Sequence, residues 1–589
     1  MMQHHWNLDS LFQNTKELQH CTQELGKRAQ TFQTSFQGKL GEHFLDAFKE
    51  YEEISEQLAR IETYVFLLFA QDCALGDIYA KYEILCNEIR NSLLFFELEY
   101  CALDSALIER HKRDYPRYAH YFHNLTKEKP HRLSLDEEKI ALEFSPLGAG
   151  AFSRFFDEHF SQMKFKIQDG KKTKKIGEEE ILAALHSPRR KERKEAHKIF
   201  TKKLKKSAHF LTYTLNMIRK DLAIQVKLRK YEQPESFRHL DNCATQKSVD
   251  SLIEVTKRHY GLVETYYLAK KELLGLKELK DYDRYAPICI AKKEEKIPYQ
   301  DAIHLVLESF SSFSSIFYDI TQRALQEGWI DSHPKERKRG GAFSHGCIPS
   351  AHPYVLLNYT EGRRDIFTIA HEFGHMIHQE LSKSQGYLNM DTPLTTAETA
   401  SVFAEMLLFD HMKEKISQDE LLGLYAGKLE DIFSTLFRQI VMTCFERRIH
   451  ASSDELKTQD FNLIWREENQ KMFGSSVKLT KKYNYWWSYI PHFIHSPFYC
   501  YAYSYGQLLV LALYGLYKQA KAQGNEQDFI SKYIQFLSAG GSQSPRDLIA
   551  CFGFDVESED FWLVGMQQVQ NLLDEFLALK AKIGDIAYA

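Results

Sequence analysis

Apolar residues recur at intervals of three and four between positions 366 and 381, which is the spacing of one face of an amphipathic helix. These apolar positions are Ile366, Phe367, Ile369, Ala370, Phe373, Met376, Ile377 and Leu381. The pattern predicts a half-buried helix. Gly374 lies inside it, and a residue without a side chain allows another segment to pack closely against the helix.

Most of the remaining chain is also predicted to be helical. Residues 1–115 contain no proline and only four glycines, so we expect long antiparallel helices near Glu52–Phe69 and Tyr79–Leu103. The segment Phe343–Tyr359 instead has alternating and β-branched residues broken by glycine and proline, which predicts short strands in a small sheet. Such a strand either binds an extended peptide at its edge or only packs against the rest of the protein. The sequence does not distinguish these two roles.

Two basic runs have ordinary structural explanations. Lys171–Lys175 precedes three consecutive glutamates, so we predict an exposed loop that leads into a helix with an acidic first turn. Arg189–Lys194 is predicted to be the solvated face of a helix. Neither run indicates a nucleic-acid partner.

Composition narrows the class of protein further. At 589 residues the chain is too long for one simple core, and two lobes are expected. A net charge of −4 gives no reason to expect nucleic acid or an anionic membrane as a partner. No apolar run approaches the length that crosses a bilayer, and the start lacks the pattern of a secretory signal. Ten cysteines without CxxC pairs indicate reduced thiols, so a cytoplasmic location is predicted.

The predicted helix carries His371-Glu372-Phe373-Gly374-His375. Histidines four residues apart on a helix project from one face, so both imidazoles can reach a single Zn²⁺. Glu372 follows the first histidine and is placed to act as general base on a water bound to the metal.

A catalytic zinc also needs a third protein ligand and one open position. Leu381 stands where the metzincin pattern has its third histidine, so that subclass is excluded. Glu398 lies in the first turn of a helix predicted over Thr395–Leu407 and is the candidate third ligand. Glu405 falls on the same face and can hold a ligating histidine by its second nitrogen. Glu380, on the zinc helix itself, is the rival ligand.

Aromatic residues are concentrated near the C-terminus, with 11 between Tyr483 and Tyr505. Ser496-Pro497 is predicted to start a helix on which Tyr501 and Tyr505 share one face, with Tyr499 and Tyr503 on another. These tyrosines either belong to the core or supply a hydrogen-bond donor to a developing oxyanion. For the second role the favoured residues are Tyr501 and His495, followed by His492.

Four other residues near these segments carry alternative interpretations. For His378 a packing or supporting role is favoured over ligation, and for Cys347 a passive role over a reactive thiol. His345 and His352 border the predicted strands, where contact with a substrate is one interpretation.

Several separate motifs resemble the M3 zinc oligopeptidases, specifically the oligoendopeptidase F branch. The matching pieces, in chain order, are Tyr282–Pro287, Gly341–Ser344, Pro353–Tyr359, the HEFGH pentamer with Ala397–Glu405, and Ile490–Tyr501. The resemblance implies a mainly α, two-lobed, zincin-like metallopeptidase with a small β-sheet beside a deep central cleft. It implies an N-terminal helical lobe over residues 1–195 and an M3-type catalytic region over residues 196–589. His371, His375 and Glu398 take the roles of zinc ligands, and Glu372 that of the base.

The sequence therefore predicts a cytoplasmic zinc endopeptidase, with one Zn²⁺ per chain, that cleaves internal bonds of short unfolded peptides. Two other functions stay open. One is a carboxydipeptidase of the same superfamily, and the other is a non-catalytic helical scaffold that binds peptides around a structural metal. Neither a nucleic acid nor a membrane is expected as a partner, and the oligomeric state does not follow from the sequence.

Overall fold

A computed structural model describes residues 5–169, 172–288 and 296–587 of the chain. These residues are overwhelmingly helical, as predicted. In chain order the first helices are α1 Thr15–Phe36, α2 Leu40–Gln71, α3 Gly76–Ala102, α4 Ser105–Asp114, α5 Ala119–Thr126, α6 Leu135–Phe144, α7 Ala149–Ser161, α8 Glu178–Ala183, α9 Arg190–Lys206, α10 Ala208–Leu228, α11 Ser236–Asp241, α12 Gln246–Arg258, α13 Tyr260–Leu273 and α14 Tyr299–Ser311. The others are α15 Ser315–Glu327, α16 Arg363–Ser382, α17 Tyr387–Met390, α18 Leu394–Ala397, α19 Thr399–Met412, α20 Gln418–Ile432, α21 Arg438–His450, α22 Thr458–Phe473, α23 His492–His495, α24 Cys500–Ala522, α25 Glu526–Ser538, α26 Pro545–Ala550 and α27 Glu559–Ala587.

The chain divides into two compact units, and each is assembled from three stretches of sequence. Unit 1 comprises residues 1–129, 293–415 and 516–554. Unit 2 comprises residues 130–292, 416–515 and 555–589. The predicted boundary at residue 195 refers to contiguous regions of sequence and stays a prediction.

Unit 2 contains a two-stranded hairpin, which corrects the prediction of an exposed loop at the first basic run. Strand β1, Phe165–Asp169, pairs with β2, Lys172–Ile176, in antiparallel register. Lys174 and Lys175 are exposed, whereas Phe165 and Ile176 are buried at the open end of the hairpin. A short strand this rich in lysine has too little apolar alternation to be recognised from sequence.

Unit 1 begins with the long helices expected from the absence of proline. Helix α1 starts at Asn14, whose side chain accepts hydrogen bonds from the backbone amides of the first turn. Helices α2 and α3 include the two predicted helical segments, and their aromatic faces meet in the core. Within that core the rings of Tyr51 and Phe96 stack with their centroids 4.2 Å apart.

A three-stranded sheet lies in unit 1, in the segment where short strands were predicted. Its strands are β3 Ile330–Asp331, β4 Phe343–His345 and β5 Tyr354–Leu356, in the order β3-β5-β4. Strand β5 is central, parallel to β3 and antiparallel to β4, with Ser344 opposite Val355. One side of β4 is therefore an edge of this sheet.

The second basic run, at the start of α9, is not uniformly solvated, which corrects that prediction in part. Arg193 is buried and contacts the carboxylate of Asp283 at 3.1 Å. Arg190 reaches the same carboxylate at 2.7 Å. Because a buried carboxylate is costly without a partner, these two arginines anchor α9 to the segment that contains Asp283.

The aromatic C-terminal segment also lies in unit 2. Its long helix, α24, begins at Cys500 and not at Ser496-Pro497, so the predicted helix start is wrong. Phe498 lies two residues before this helix and has a positive φ of 59°. Residues of a right-handed helix do not adopt this conformation. The predicted faces of α24 are confirmed, since Tyr501 and Tyr505 are buried and Tyr503 is exposed.

Two negative findings apply to the described part of the chain. No helix there is both long enough and apolar enough to cross a membrane. None of the nine cysteines within the same ranges forms a disulfide bond.

Candidate metal centre

Helix α16 places the two histidines of the HExxH motif side by side. The helix begins after Gly362, where the Asp365 side chain accepts a hydrogen bond from the Gly362 amide at 3.2 Å. Two turns later, His371 and His375 project from one face, with ring centroids 4.8 Å apart. Both imidazoles are partly exposed, so a ligand can reach them.

Glu398 completes the group from the junction between α18 and α19. Its Oε2 atom lies 3.4 Å from the Nε2 atom of His371 and 3.4 Å from that of His375. Ser401 donates a hydrogen bond to the same oxygen at 2.7 Å, which fixes the direction of the carboxylate. The predicted helix over residues 395–407 is thus two helices, and Glu398 stands between them.

The close approach of α19 to α16 depends on Gly374. A β-carbon at this position would lie 2.4 Å from the carbonyl oxygen of Ala400 and 2.6 Å from the Cα atom of Ser401. Both atoms belong to the backbone of α19, so any side chain would force the helices apart. The expectation that Gly374 admits a closely packed segment is confirmed, and that segment carries Glu398.

Glu405 supports the group from the second turn of α19. Its Oε1 atom lies 2.7 Å from the Nδ1 atom of His371, which orients the ring so that Nε2 faces Glu398. Burial alone would lower the pKa of His371, but the carboxylates of Glu405 and Glu398 outweigh it and raise that pKa. Burial likewise opposes ionisation of Glu398, yet His375 and His371 lower its pKa to about 2.

His371, His375 and Glu398 are therefore brought together as predicted. Each offers one ligand atom, these atoms lie within 4.8 Å of one another, and the three residues can hold a metal ion. The rival Glu380 forms ion pairs with Arg323 and Lys383 and does not join them.

Glu372 lies in the wall of an open pocket beside this group. The pocket has a volume of about 540 Å³, and both Glu372 and His375 line it together with β4. Glu372 is 7% exposed, and burial raises the pKa of its carboxyl group. The nearby backbone amide of Ser344 acts against this shift and favours the ionised carboxylate.

Strand β4 is held against α16 by Gln379, a contact that sequence reasoning missed. The hydroxyl of Ser344 donates to the Gln379 Oε1 atom at 2.7 Å, and the Gln379 Nε2 atom donates to the Ser344 carbonyl at 3.2 Å. The hydroxyl and the carbonyl of Ser344 are thus both engaged by one side chain of α16. Serine and glutamine are common surface residues, so no sequence signal distinguishes this pair.

The other residues considered near this site are mostly packed inward. His378 is buried, and burial lowers its pKa to about 3, which suits a packing role. Cys347 is buried as well, and its thiol pKa is raised to about 12, so the thiol is unreactive. His352 stacks on Trp329 at 4.7 Å. His345 lines the pocket and lies 3.2 Å from the hydroxyl of Thr63.

His492, His495 and Tyr501, the three predicted oxyanion donors, belong to unit 2, and their roles stay a prediction. The imidazole of His492 lies 3.1 Å from the Tyr503 hydroxyl. His495 is exposed and contacts Asp157 at 2.8 Å. Tyr501 is fully buried.

The Tyr501 hydroxyl already has three partners. It lies 2.8 Å from the His239 Nδ1 atom, accepts from the Asn242 amide at 2.9 Å and contacts the Arg238 carbonyl at 3.2 Å. A hydroxyl with three protein partners has no hydrogen-bonding capacity left for a substrate.

The family model described as Peptidase family M3 matches residues 183–568, which is more than half of the sequence. The chain belongs to peptidase family M3. A second family model, described as oligopeptidase F, matches residues 99–165 of this M3 peptidase. The predicted resemblance to the oligoendopeptidase F branch is confirmed.

Known relatives match the M3 peptidase over almost its whole length. Oligopeptidase PepF of Bacillus subtilis is 26% identical, covering 98% of this chain and 87% of the relative. An oligoendopeptidase F homolog of Borreliella burgdorferi is 28% identical, covering 94% of each chain. The predicted metalloendopeptidase class is therefore confirmed.

Solved structures of two similar proteins have the same fold. A Chlamydophila abortus protein described as a peptidase is 25% identical, with a TM-score of 0.88 and coverage of 98% of both chains. Oligoendopeptidase F of Enterococcus faecium is 21% identical, with a TM-score of 0.70 and coverage of 96% of this chain and 99% of that one. The predicted mainly helical fold is confirmed.

Proposed function

We propose that this M3 peptidase is a zinc-dependent endopeptidase that hydrolyses internal bonds of short unfolded oligopeptides, with one Zn²⁺ per chain. His371, His375 and Glu398 would hold the ion. The observation that carries the proposal is the convergence of their ligand atoms. With bond lengths of about 2.0–2.2 Å, two donors of a tetrahedral zinc site lie roughly 3.3–3.5 Å apart. The 3.4 Å separations of Glu398 from both imidazoles fit that geometry.

The chemistry requires a water nucleophile and a group that moves its proton. When bound, zinc acts as a Lewis acid that lowers the pKa of water and polarises the peptide carbonyl. The Glu372 carboxylate accepts the proton of the attacking water and later delivers it to the nitrogen of the leaving amine. The raised pKa of this carboxyl group lies closer to neutral pH, which favours both accepting a proton and releasing it again.

The backbone amide of Ser344 lies near the base and favours its ionised form. Gln379 fixes Ser344 in turn through two hydrogen bonds. An amide fixed in this way stays in place beside the base during the proton transfer.

Oxyanion stabilisation is assigned within the aromatic segment of unit 2. His492 and His495 are the better candidates, because they are accessible and each ring has a nitrogen that can donate a hydrogen bond. Tyr501 was favoured from sequence, but its saturated hydroxyl makes a direct role less suitable. Each donor that is preorganised for an oxyanion contributes about 3 kcal/mol.

The substrate class is proposed from the printed names of the relatives, which are oligopeptidases and oligoendopeptidases. A cytoplasmic location is proposed because none of the nine described cysteines forms a disulfide bond. A structural metal in a non-catalytic scaffold is disfavoured, since structural zinc sites usually close with four protein ligands, often cysteines. A trio of two imidazoles and one carboxylate leaves a coordination position for water.

The proposal is tested by Glu372→Gln, which keeps the shape of the side chain and removes the base. We expect zinc content to stay at one ion per chain, measured by elemental analysis, while hydrolysis of an internally quenched peptide falls by several orders of magnitude. Mass spectrometry of products from blocked peptides identifies internal cleavage and separates it from removal of C-terminal dipeptides.

Glu380→Gln on the same helix is the matched control. It makes the same chemical change at a carboxylate that pairs with Arg323 and Lys383, so near-normal turnover is expected. Wild-type turnover by Glu372→Gln would refute the assignment of the base.

A further inference from the structure

Two arginines of unit 2 are enclosed among tyrosines. Arg284 is 4% exposed, and its guanidinium lies over the rings of Tyr285 at 4.5 Å and Tyr483 at 5.0 Å. Arg438, the first residue of α21, donates a hydrogen bond to the hydroxyl of Tyr489 at 3.1 Å. These five residues are called the paired-arginine site.

The carboxylates around the paired-arginine site are engaged by other residues. Asp283 is held by Arg190 and Arg193. Glu430 pairs with the buried ammonium of Lys270. Asp281 accepts from the backbone amide of Thr480 at 2.6 Å through Oδ2, and its Oδ1 atom lies 3.4 Å from the Nε2 atom of His197. Within the described ranges, neither Arg284 nor Arg438 forms an ion pair with a carboxylate.

Both guanidinium groups keep unused hydrogen-bonding capacity. The Nε atoms of Arg284 and Arg438 are buried and, among the residues that the structure describes, have no acceptor. The Nη2 atom of Arg284 donates to the Tyr285 hydroxyl at 2.6 Å. Buried donors are nearly always satisfied in native proteins, and one bound acceptor could satisfy both of these.

The charges at this site also favour a bound anion. Arg284 and Arg438 are close enough for their positive charges to oppose each other. Burial disfavours ionisation of the Tyr285 phenol, but the two guanidinium groups outweigh burial and lower its pKa. Two like charges of which one, Arg284, is buried repel each other, and a bound negative charge reduces that cost.

We propose that the paired-arginine site binds a small anion, either an inorganic monoanion or the terminal carboxylate of a peptide. Planar guanidinium groups suit such ligands because their N–H donors form a fixed fork. Arg284 is buried, whereas Arg438, Tyr285 and Tyr489 are partly exposed, so solvent reaches three of the five residues.

The position of Arg438 links this site to the aromatic segment. The charge of Arg438 acts on His492 and contributes to lowering its pKa, after the larger effect of burial. An anion beside Arg438 therefore changes the electrostatics at one of the proposed oxyanion donors. A peptide carboxylate bound there would also restrict which peptides are good substrates.

The first experiment uses bromide, a heavy monoanion, as the probe. Crystals soaked in sodium bromide are expected to give an anomalous peak beside Arg284 and Arg438 in wild-type protein, and to lose it in Arg438→Met. Arg448→Met is the matched control on the same helix, since Arg448 is already paired with Glu467 and Glu468. The control should keep the peak. If Arg438→Met does not fold, Arg438→Lys should show a weakened peak.

The second experiment distinguishes the two sources of negative charge and rests on the proposed peptidase function. Hydrolysis of one peptide is compared with a free and with an amidated C-terminus. If the carboxylate binds the site, amidation should lower kcat/KM at least about tenfold, because hydrogen bonds to charged groups are the stronger ones. Arg438→Met should abolish that difference, whereas Arg448→Met should retain it.

Each result decides the proposal. A bromide peak without an amidation effect assigns the site to an inorganic anion, and an amidation effect lost in Arg438→Met assigns it to the peptide carboxylate. Wild-type crystals without bromide at the site, together with equal hydrolysis of both peptides, would overturn it. The bromide measurement needs no enzymatic activity, so failure of the proposed function leaves it valid.

Discussion

Replacing Gly374 by alanine tests whether the packing of α16 on α19 sets the geometry of the metal centre. The added β-carbon would lie 2.4 Å from the Ala400 carbonyl oxygen, whereas ordinary van der Waals contact begins at 3.4 Å. The difference of 1.0 Å must be absorbed by separation of the two helices, because both neighbouring atoms belong to the backbone. Glu398 lies at the start of α19, so that separation moves it away from His371 and His375.

The expected effects follow from the size of this movement. Overpacking a core of this kind costs roughly 1–3 kcal/mol of folding free energy. Metal–ligand distances tolerate about 0.2 Å, so a displacement about five times larger weakens the bond to Glu398. Loss of a residue that supports a metal ligand lowers metal affinity about 10–100-fold. We expect the zinc affinity of Gly374→Ala to fall by at least this factor.

The assay combines urea denaturation of the metal-free protein with zinc competition against a chromophoric chelator. Gly427→Ala in α20 is the matched control, because a β-carbon at that position meets nothing within 4 Å. Alanine is favoured over glycine in a helix by about 0.5–1 kcal/mol, so the control should be slightly stabilised. Unchanged stability and zinc affinity in Gly374→Ala would refute the argument that this glycine determines the position of Glu398.

Two further predictions concern single carboxylates. Glu405→Ala removes the acceptor at the Nδ1 atom of His371, and zinc affinity should fall about 10–100-fold in the chelator assay; equal affinity would mean that packing alone orients the ring. Glu446 is buried, which raises its pKa from 4.5 to about 8. The folded state therefore holds more protons than the unfolded chain between these values, and stability falls as pH rises through that window. Glu446→Gln should show a flatter dependence of Tm on pH from 4.5 to about 8. Above that window its Tm should be higher than that of the wild type. An unaltered pH profile would show that ionisation of Glu446 does not cause the loss of stability.

The metal centre could largely be predicted from the sequence because its parts obey local geometry. Histidines four apart on an apolar-faced helix must share a side of it. The spacing of Glu398 and Glu405 by seven residues predicts that both face the histidines of α16, and they do so although Glu398 lies just before α19. The close contact through Gly374 was also predictable, since only glycine leaves space for a second backbone.

The features that could not be predicted depend on contacts distant in the sequence or on unusual backbone conformations. Ser344 and Gln379 are 35 residues apart, and neither has a property that indicates the other. The late start of α24 results from the left-handed conformation of Phe498, a residue type that rarely adopts it. The paired-arginine site could not be predicted, because two arginines 154 positions apart become neighbours only after folding.

The engagement of Ser344 by α16 has a consequence for how this enzyme coexists with other polypeptides. Unpaired strand edges recruit further strands, which is a common route to aggregation. On β4 the carbonyl of Ser344 accepts a hydrogen bond from Gln379, so an approaching chain must first exchange with this side chain. We expect this exchange of hydrogen bonds to give only a small net gain in binding free energy. Cleaved fragments should therefore dissociate readily, and the protein should have little tendency to polymerise through this edge.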